Sequence, residues 1–378
     1  MDLLMDLYHW FWNEKFWLPQ NLTWEDLKRT EEKQFGETRD LWLTFPLCIT
    51  VLCIRFSVEK GIARPLGKWL NLSERLHTPP RENIVLEKVY KTITRKPNYS
   101  QVEDLCKQTG WRKHEINVWF RKKNLVGRPT TLTKFQETFW RFAFYLTSFF
   151  YGLYVMYDQE CVWQTEKCFS NYPEDHVLSQ KIYYYYLIEL AFYSATTLTQ
   201  FFDVKRKDFW EMFIHHIVTI ILLCGSYTLN YTKMGAFILV VHDSADFYIE
   251  FAKMGKYANN SLVTNVGFIS FTISFFLSRL VILPLWIVPS IWFYGIYTYN
   301  CAMAWLFCAL LILQLLHFYW FSHIVKAAYA SILVGVIERD TRSESEDSSA
   351  EDETAKYSVG SGDYTESNGI HKRVVTAR

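Results

Sequence analysis

Apolar residues gather in seven windows along the chain, near residues 41–58, 139–156, 182–202, 212–229, 234–252, 263–286 and 298–324. Roughly 20 apolar residues carry a helix across the hydrocarbon core of a bilayer. Between Lys256 and Lys326 the only Asp, Glu, Lys or Arg is Arg279. A run of that length is too long for a soluble core and reads as two spans. The pattern predicts an all-α fold, a polytopic transmembrane helical bundle of about seven spans. Residues 59–138 interrupt it with a Lys- and Arg-rich insert, large enough for a small helical domain, in which Ser100 is expected to cap a helix starting Gln101-Val102-Glu103. From Glu338 onward Ser, Glu and Asp dominate, and the tail has too little apolar surface to fold.

Whole-chain composition hides this segregation. The 378 residues are 50% hydrophobic and 18% aromatic, yet the mean hydropathy of −0.03 is that of a soluble protein. Net charge of +1 gives no reason to expect a nucleic-acid partner. Lys and Arg cluster after the third, fifth and seventh windows, as Lys205, Arg206 and Lys207, then Lys253 and Lys256, then Lys326. The intervening loops are poorer in positive charge, with Lys167 and Lys233. Positive loops mark the cytosolic side, so the N-terminus is expected in the lumen and the C-terminus in the cytosol. Asn21-Leu22-Thr23 then offers a glycosylation acceptor on the lumenal side, and Asn98-Tyr99-Ser100 faces the cytosol unused. The first twenty residues carry Asp2, Asp6, Glu14 and Lys15 among aromatics and lack the basic and apolar regions of a cleavable signal. Eight cysteines form no C-x-x-C pair; Cys161 and Cys168 share a short polar loop and are the candidate disulfide. Ser343, Ser345, Ser348 and Ser349, among acids in the tail, are candidate phosphorylation sites.

The chemistry concentrates between Asp203 and Lys253. His215 and His216 lie within the fourth window, about 100° apart on a helix, so they cannot face one partner equally. His242, Asp243 and Asp246 lie in the fifth, and Asp243, Asp246 and Glu250 fall on one helical stripe. Ionisable groups inside a membrane cost several kcal/mol unless paired or wet, which makes them functional candidates. A buried pair locking two helices is the bland alternative. A histidine beside carboxylates can serve as general base or nucleophile. Metal binding is the rival use, but oxygen-activating di-iron membrane enzymes need more histidines than these spans supply. Arg279 is expected either to meet Asp243 or Asp246 or to snorkel to the interface. His317 and His323 occur singly in the last window.

Several stretches together resemble the ceramide synthases, of the TLC class of membrane proteins. They are Phe11-Trp12-Asn13-Glu14-Lys15-Phe16-Trp17-Leu18-Pro19, Trp140-Arg141-Phe142, Asp203-Val204-Lys205-Arg206-Lys207-Asp208-Phe209, His215-His216, and His242-Asp243-Ser244-Ala245-Asp246 through Ala252-Lys253-Met254. The likeness covers nearly the whole chain except the tail. It implies transfer of a fatty acyl group from acyl-CoA to the amine of sphinganine or sphingosine, in the endoplasmic reticulum membrane. Acyl-CoA would be a co-substrate, with no separate cofactor and no metal. The implied catalytic residues are His215, His216, Asp243 and Asp246; Arg279, Lys205, Arg206, Lys207 and His242 are candidates for substrate binding. Membrane lipids, and related synthases in a homo- or hetero-dimer, are the implied partners, with no nucleic acid. Acyl-length preference is associated in the family with the loop joining the last two spans, here about Ile287 to Thr298. Ser194-Ala195 stands where relatives often carry Trp, which would change the pocket's width. The competing readings are a non-enzymatic membrane adaptor of the same fold class, for which intramembrane acids and histidines would be dispensable, and a fatty-acid elongase or hydroxylase; elongases use an H-x-x-H-H box, and Met212 occupies the position of its first histidine.

Ile116-Asn117-Val118-Trp119-Phe120-Arg121-Lys122-Lys123-Asn124 makes the insert resemble a truncated homeodomain, with Lys122 where the adenine-reading Asn would stand. The expected organisation is a lumenal segment (1–40), a first span (41–58), a homeobox-like cytosolic domain (67–128), a TLC transmembrane catalytic domain (131–332) and an acidic tail (338–378).

Overall fold

A computed structural model describes residues 2–74, 78–295 and 301–334. The tail, with Ser343, Ser345, Ser348 and Ser349, lies outside the described residues. Regular structure among the described residues is helical, without strands. The described residues form two compact units, one from residues 2–74, 78–79, 125–295 and 301–334, the other from Pro80–Asn124.

In the larger unit, α1 (Asp2–Phe11) and α2 (Glu14–Trp17) precede α3 (Thr44–Val58), which continues through a π turn into α4 (Arg64–Trp69). Thr38–Trp69 is thus one helical rod of 32 residues, longer than its apolar window. The smaller unit packs α5 (Ile84–Thr92), α6 (Tyr99–Thr109) and α7 (Lys113–Leu125) around Leu86, Val102, Leu105, Ile116, Trp119 and Phe120. Asn98, not Ser100, caps α6. Its Oδ1 accepts from Gln101 N at 2.9 Å, and Gln101 Oε1 accepts from Asn98 N at 2.9 Å, a reciprocal box that a position two residues later could not close. Gly110, at φ +73°, ends the helix in the left-handed conformation that suits glycine.

The bundle continues with α8 (Thr131–Met156), α9 (Gln180–Thr199), α10 (Phe209–Thr228), α11 (Thr232–Tyr257) and α12 (Ser261–Phe275), then α13 (Val288–Ser290) and α14 (Cys301–Val334). Thr130, Ser179 and Asn260 supply side-chain caps to the first turns of α8, α9 and α12. Over their described residues, all seven apolar windows coincide with long helices. Four of these, Thr38–Trp69, Phe209–Thr228, Ser261–Gly295 and Cys301–Tyr329, are long and apolar enough to cross a membrane. The other three, α8, α9 and α11, are long enough but more polar.

Central α11 packs on α8 and α12. Glycine makes both approaches close. A Cβ on Gly152 of α8 would lie 2.5 Å from Val240 Cγ2 and 2.7 Å from Tyr185 Oη; one on Gly267 of α12 would lie 2.9 Å from the Ala252 backbone. Between α12 and α13 the helix widens to π geometry over Phe276–Ile287. Pro284 has no N–H to donate there, and the Val288 N–H closes on Leu283 O, five residues back. The segment expected as a loop at Ile287–Thr298 is therefore helical as far as Gly295. Its Ile291-Trp292-Phe293-Tyr294 run carries no Gly, Pro, Asn or Asp that would end the helix; residues 296–300 lie outside the described residues.

The N-terminal segment is clasped to the turn between α10 and α11. Asn230, at φ +58°, accepts from Gly36 N at 2.6 Å and donates to Gly36 O at 3.2 Å. Tyr227 Oη donates to Asp40 Oδ2 at 2.8 Å, and Arg29 pairs with the same carboxylate.

Candidate functional site

Two cavities meet at one side chain. The first enters the bundle from the face opposite the N-terminal segment, past Lys134, Glu137, Arg141, Arg206, Glu250 and Lys253, and reaches His215 and His216. The second is apolar, between α10, α11 and α14, with Thr219, Leu223, Ile238, Leu306, Leu310 and Leu313 in its walls. His215 lines both. Its Nδ1 is buried without a hydrogen-bond partner, and its ring stands edge-on to Trp320 at 5.3 Å.

The two histidines differ as their helical offset requires. His216 sits against Gln200 of the α9 C-terminus, with Nδ1 and Gln200 Oε1 3.1 Å apart. Gln200 Nε2 donates to Phe209 O at 2.7 Å, which fixes the amide so that its oxygen faces the ring. His216 Nδ1 must then carry the proton, leaving Nε2 as the basic nitrogen. His242 also donates from Nδ1, to Ile238 O at 2.7 Å, and packs 5.1 Å from the buried His317 ring.

Neither aspartate hydrogen-bonds a histidine. Asp246 accepts from Arg279 Nη2 at 2.7 Å, and the same nitrogen donates to His242 O at 3.0 Å. Arg279 is thus buried and paired rather than snorkelling, its cation 4.8 Å over the Phe275 ring and its backbone oxygen held by Gln314. Asp243 is fully buried and accepts from Ser148 Oγ of α8 at 2.7 Å. Ser148 also contacts Glu189 of α9. Glu250, the third acid of the stripe, pairs with Lys253 at 2.8 Å and lies 3.4 Å from Arg141.

Of the basic run, Arg206 enters the polar cavity and forks onto Asp208 at 2.9 and 3.0 Å. Lys205 and Lys207 are exposed and do not line it. Cys161 and Cys168 come together but as free buried thiols, with Cys168 Sγ 3.9 Å from Cys161 O. Ser194 borders a different cleft, beside the N-terminal segment, so its small size widens that cleft and neither cavity at His215. Asn21 is exposed in a turn. Among the described residues no three His, Cys, Asp or Glu are grouped to hold a metal ion.

Sequence reasoning missed Ser148, Glu189, Gln200 and Arg141. Glu189 carried a usable signal, being the lone charged residue between Lys181 and Asp203. Ser148 and Gln200 carried none, since a Ser or Gln in a helix is unremarkable until its neighbours are known.

The fold is a helical bundle with ionisable groups at its centre and a charged mouth on one face, and residues 134–326 match the family model of the TLC domain. The chain is 37% identical to human ceramide synthase 5 over 97% of its own length and 94% of that protein's. It is also 37% identical to bovine ceramide synthase 4 over 92% and 88%, and 36% identical to human ceramide synthase 3 over 89% and 88%. The chain belongs to the ceramide synthase family, as a multi-pass membrane protein.

Proposed function

We propose that the chain is a ceramide synthase in the full chemical sense, an acyltransferase that moves a fatty acyl group from acyl-CoA to the amine of a sphingoid base. The observation that carries this reading is the position of His215, the side chain common to a charged cavity and an apolar one. Acyl-CoA has that same division. Its phosphates suit the mouth with Arg141, Arg206 and Lys253, its thioester the junction, and its chain the apolar cavity. From His215 to Ser226, which also lines that cavity, α10 rises about 16 Å, room for a long acyl chain.

At the junction the amine attacks the thioester carbonyl, a histidine takes the amine proton and returns it to the departing sulfur as the C–S bond breaks, and CoA leaves as its thiol. His216 is prepared for that proton by Gln200, which commits its Nε2 as the base. In the stepwise alternative, supported by the unpartnered Nδ1 of His215, the imidazole attacks first, expels CoA, and passes the acyl group to the amine. Acyl-CoA supplied alone separates the routes, because only the stepwise one leaves an acylated protein. Asp243 and Asp246 act on the charge of the site through their own partners rather than by touching a ring. Residence in the endoplasmic reticulum with a lumenal N-terminus, glycosylation at Asn21 and pairing with related synthases complete the proposal.

The test is purified protein given sphinganine and acyl-CoAs of several lengths, reading CoA release and lipid product. Wild type should form N-acyl product and folded His215→Ala should lose it. Absence of product from stable wild type, or full activity in His215→Ala, would overturn the reading.

A further inference from the structure

Glu189 has no part in the scheme above, yet it is 0% exposed in the middle of α9. It meets Ser148 Oγ through Oε1, and that Oγ is 2.7 Å from Asp243 Oδ2. The remaining oxygens, Glu189 Oε2 and Asp243 Oδ1, have no hydrogen-bond partner. A serine hydroxyl has one proton to give. With both acids ionised, Ser148 could satisfy one carboxylate and would present a lone pair to the other. The groups facing this trio are neutral phenols, of which the Tyr185 hydroxyl also interacts with Ser148, and charges already paired, so among the described residues no free cation compensates a second carboxylate. They are Tyr145 from α8, Tyr185 and Tyr193 from α9, Asp246 from α11 and Arg279 from the π segment, and Arg279 is committed to Asp246 at 2.7 Å. Two uncompensated charges on one hydroxyl inside a membrane are far costlier than one charge and one neutral acid.

We infer that Glu189 and Asp243 share one proton through Ser148, carried by Glu189, and that Glu189 is a positioning residue that orients Asp243 and keeps it ionised. The hydrogen bonds then run in one direction, from the Glu189 carboxyl to Ser148 Oγ and from the Ser148 hydroxyl to Asp243. Arg279 donates to the carbonyl of His242, the residue before Asp243, so the cation lies on the Asp243 side of the trio. A fixed negative charge there stabilises the imidazolium formed when a histidine takes the amine proton. This inference rests on the acyltransfer site proposed above.

The experiment compares Glu189→Gln, Asp243→Asn and Ser148→Ala in the full-length purified protein, with kcat and KM for both substrates and the infrared C=O stretch of protonated carboxyl groups. Gln at 189 reproduces a neutral donor, so kcat should stay within about threefold of wild type, whereas Asn at 243 removes the charge and should lower kcat about 100-fold with KM little changed. Ser148→Ala breaks the chain and should fall between them. Wild type should show a buried protonated-carboxyl band that Glu189→Gln abolishes. A purely structural role predicts equal tolerance of the two amides. Equal loss in both, or a wild-type spectrum without the band, overturns the shared proton while leaving the site standing; full activity in Asp243→Asn overturns the site as well.

Discussion

Arg279 offers the sharpest test of how the bundle tolerates charge. Its side chain is 6% exposed and that of Asp246 20%, with Nη2 donating to both Asp246 and the His242 carbonyl. Replacing Arg279 by Met keeps the volume and the ring contact with Phe275 but strands the Asp246 carboxylate. Breaking a buried pair from one side costs about 3–5 kcal/mol, because the surviving charge is left desolvated, whereas removing both partners is often close to neutral. Arg279→Met should therefore be strongly destabilised and Asp246→Asn less so, since Asn still accepts from the guanidinium. The double variant should recover most of the loss, with a coupling energy of roughly 2–3 kcal/mol. Equilibrium unfolding in detergent micelles of fixed composition would read all four proteins. Additive losses, with no recovery in the double variant, would refute the claim that the pair rather than the individual side chains holds the π segment to α11.

Gln200→Leu removes the acceptor that fixes the His216 tautomer and should lower kcat by about 10-fold with KM unchanged, measured by CoA release. Gly152→Ala puts a Cβ 2.5 Å from Val240 Cγ2 and should cost about 1–3 kcal/mol in the same unfolding assay, unless α8 and α11 move apart. His176, in the loop between α8 and α9, is pushed down by burial to about 4 from its usual 6.5. The unfolded chain then binds the proton more readily, so stability should fall as pH drops from 6.5 toward 4, and His176→Gln should flatten that slope. Asn21→Gln should raise gel mobility of protein expressed in cells and Asn98→Gln should not, which also tests the side on which each residue sits.

The bundle was legible because its apolar windows are separated by loops whose charge alternates, and every window became a helix. Boundaries were not. The rod from Thr38 to Trp69 outruns its window, because a helix need not stop where hydropathy falls. The Ile287–Thr298 loop was read from the gap between two apolar windows, yet the helix runs through Pro284 by way of a π turn and on to Gly295. At the site, periodicity put Asp243, Asp246 and Glu250 on one stripe, and all three do face inward. It could not say that they would take three different partners, Ser148, Arg279 and Lys253, each contributed by tertiary packing or local rotamer choice. The two histidines 100° apart take different partners, Gln200 for His216 and the Trp320 ring for His215, and the latter is supplied by α14 a hundred residues later.

The three long helices that fall short on apolarity, α8, α9 and α11, are those that bring Ser148, Glu189 and Asp243 together. A helix facing lipid must be apolar along its whole exposed face, and Thr38–Trp69, with 11% of its apolar window buried, is the extreme case. A helix enclosed by others is released from that demand, since its neighbours satisfy its polar groups. Lower hydropathy in these three helices accompanies the buried polar trio that they bring together. Placing one leucine at Glu189 would make α9 more apolar and so a better span by composition, yet it would remove the carboxyl that meets Ser148. If the helices are polar because the site requires it, Glu189→Leu should insert normally into membranes and lose activity. Failed insertion with activity restored in the fraction that does insert would mean the polar residues serve assembly instead.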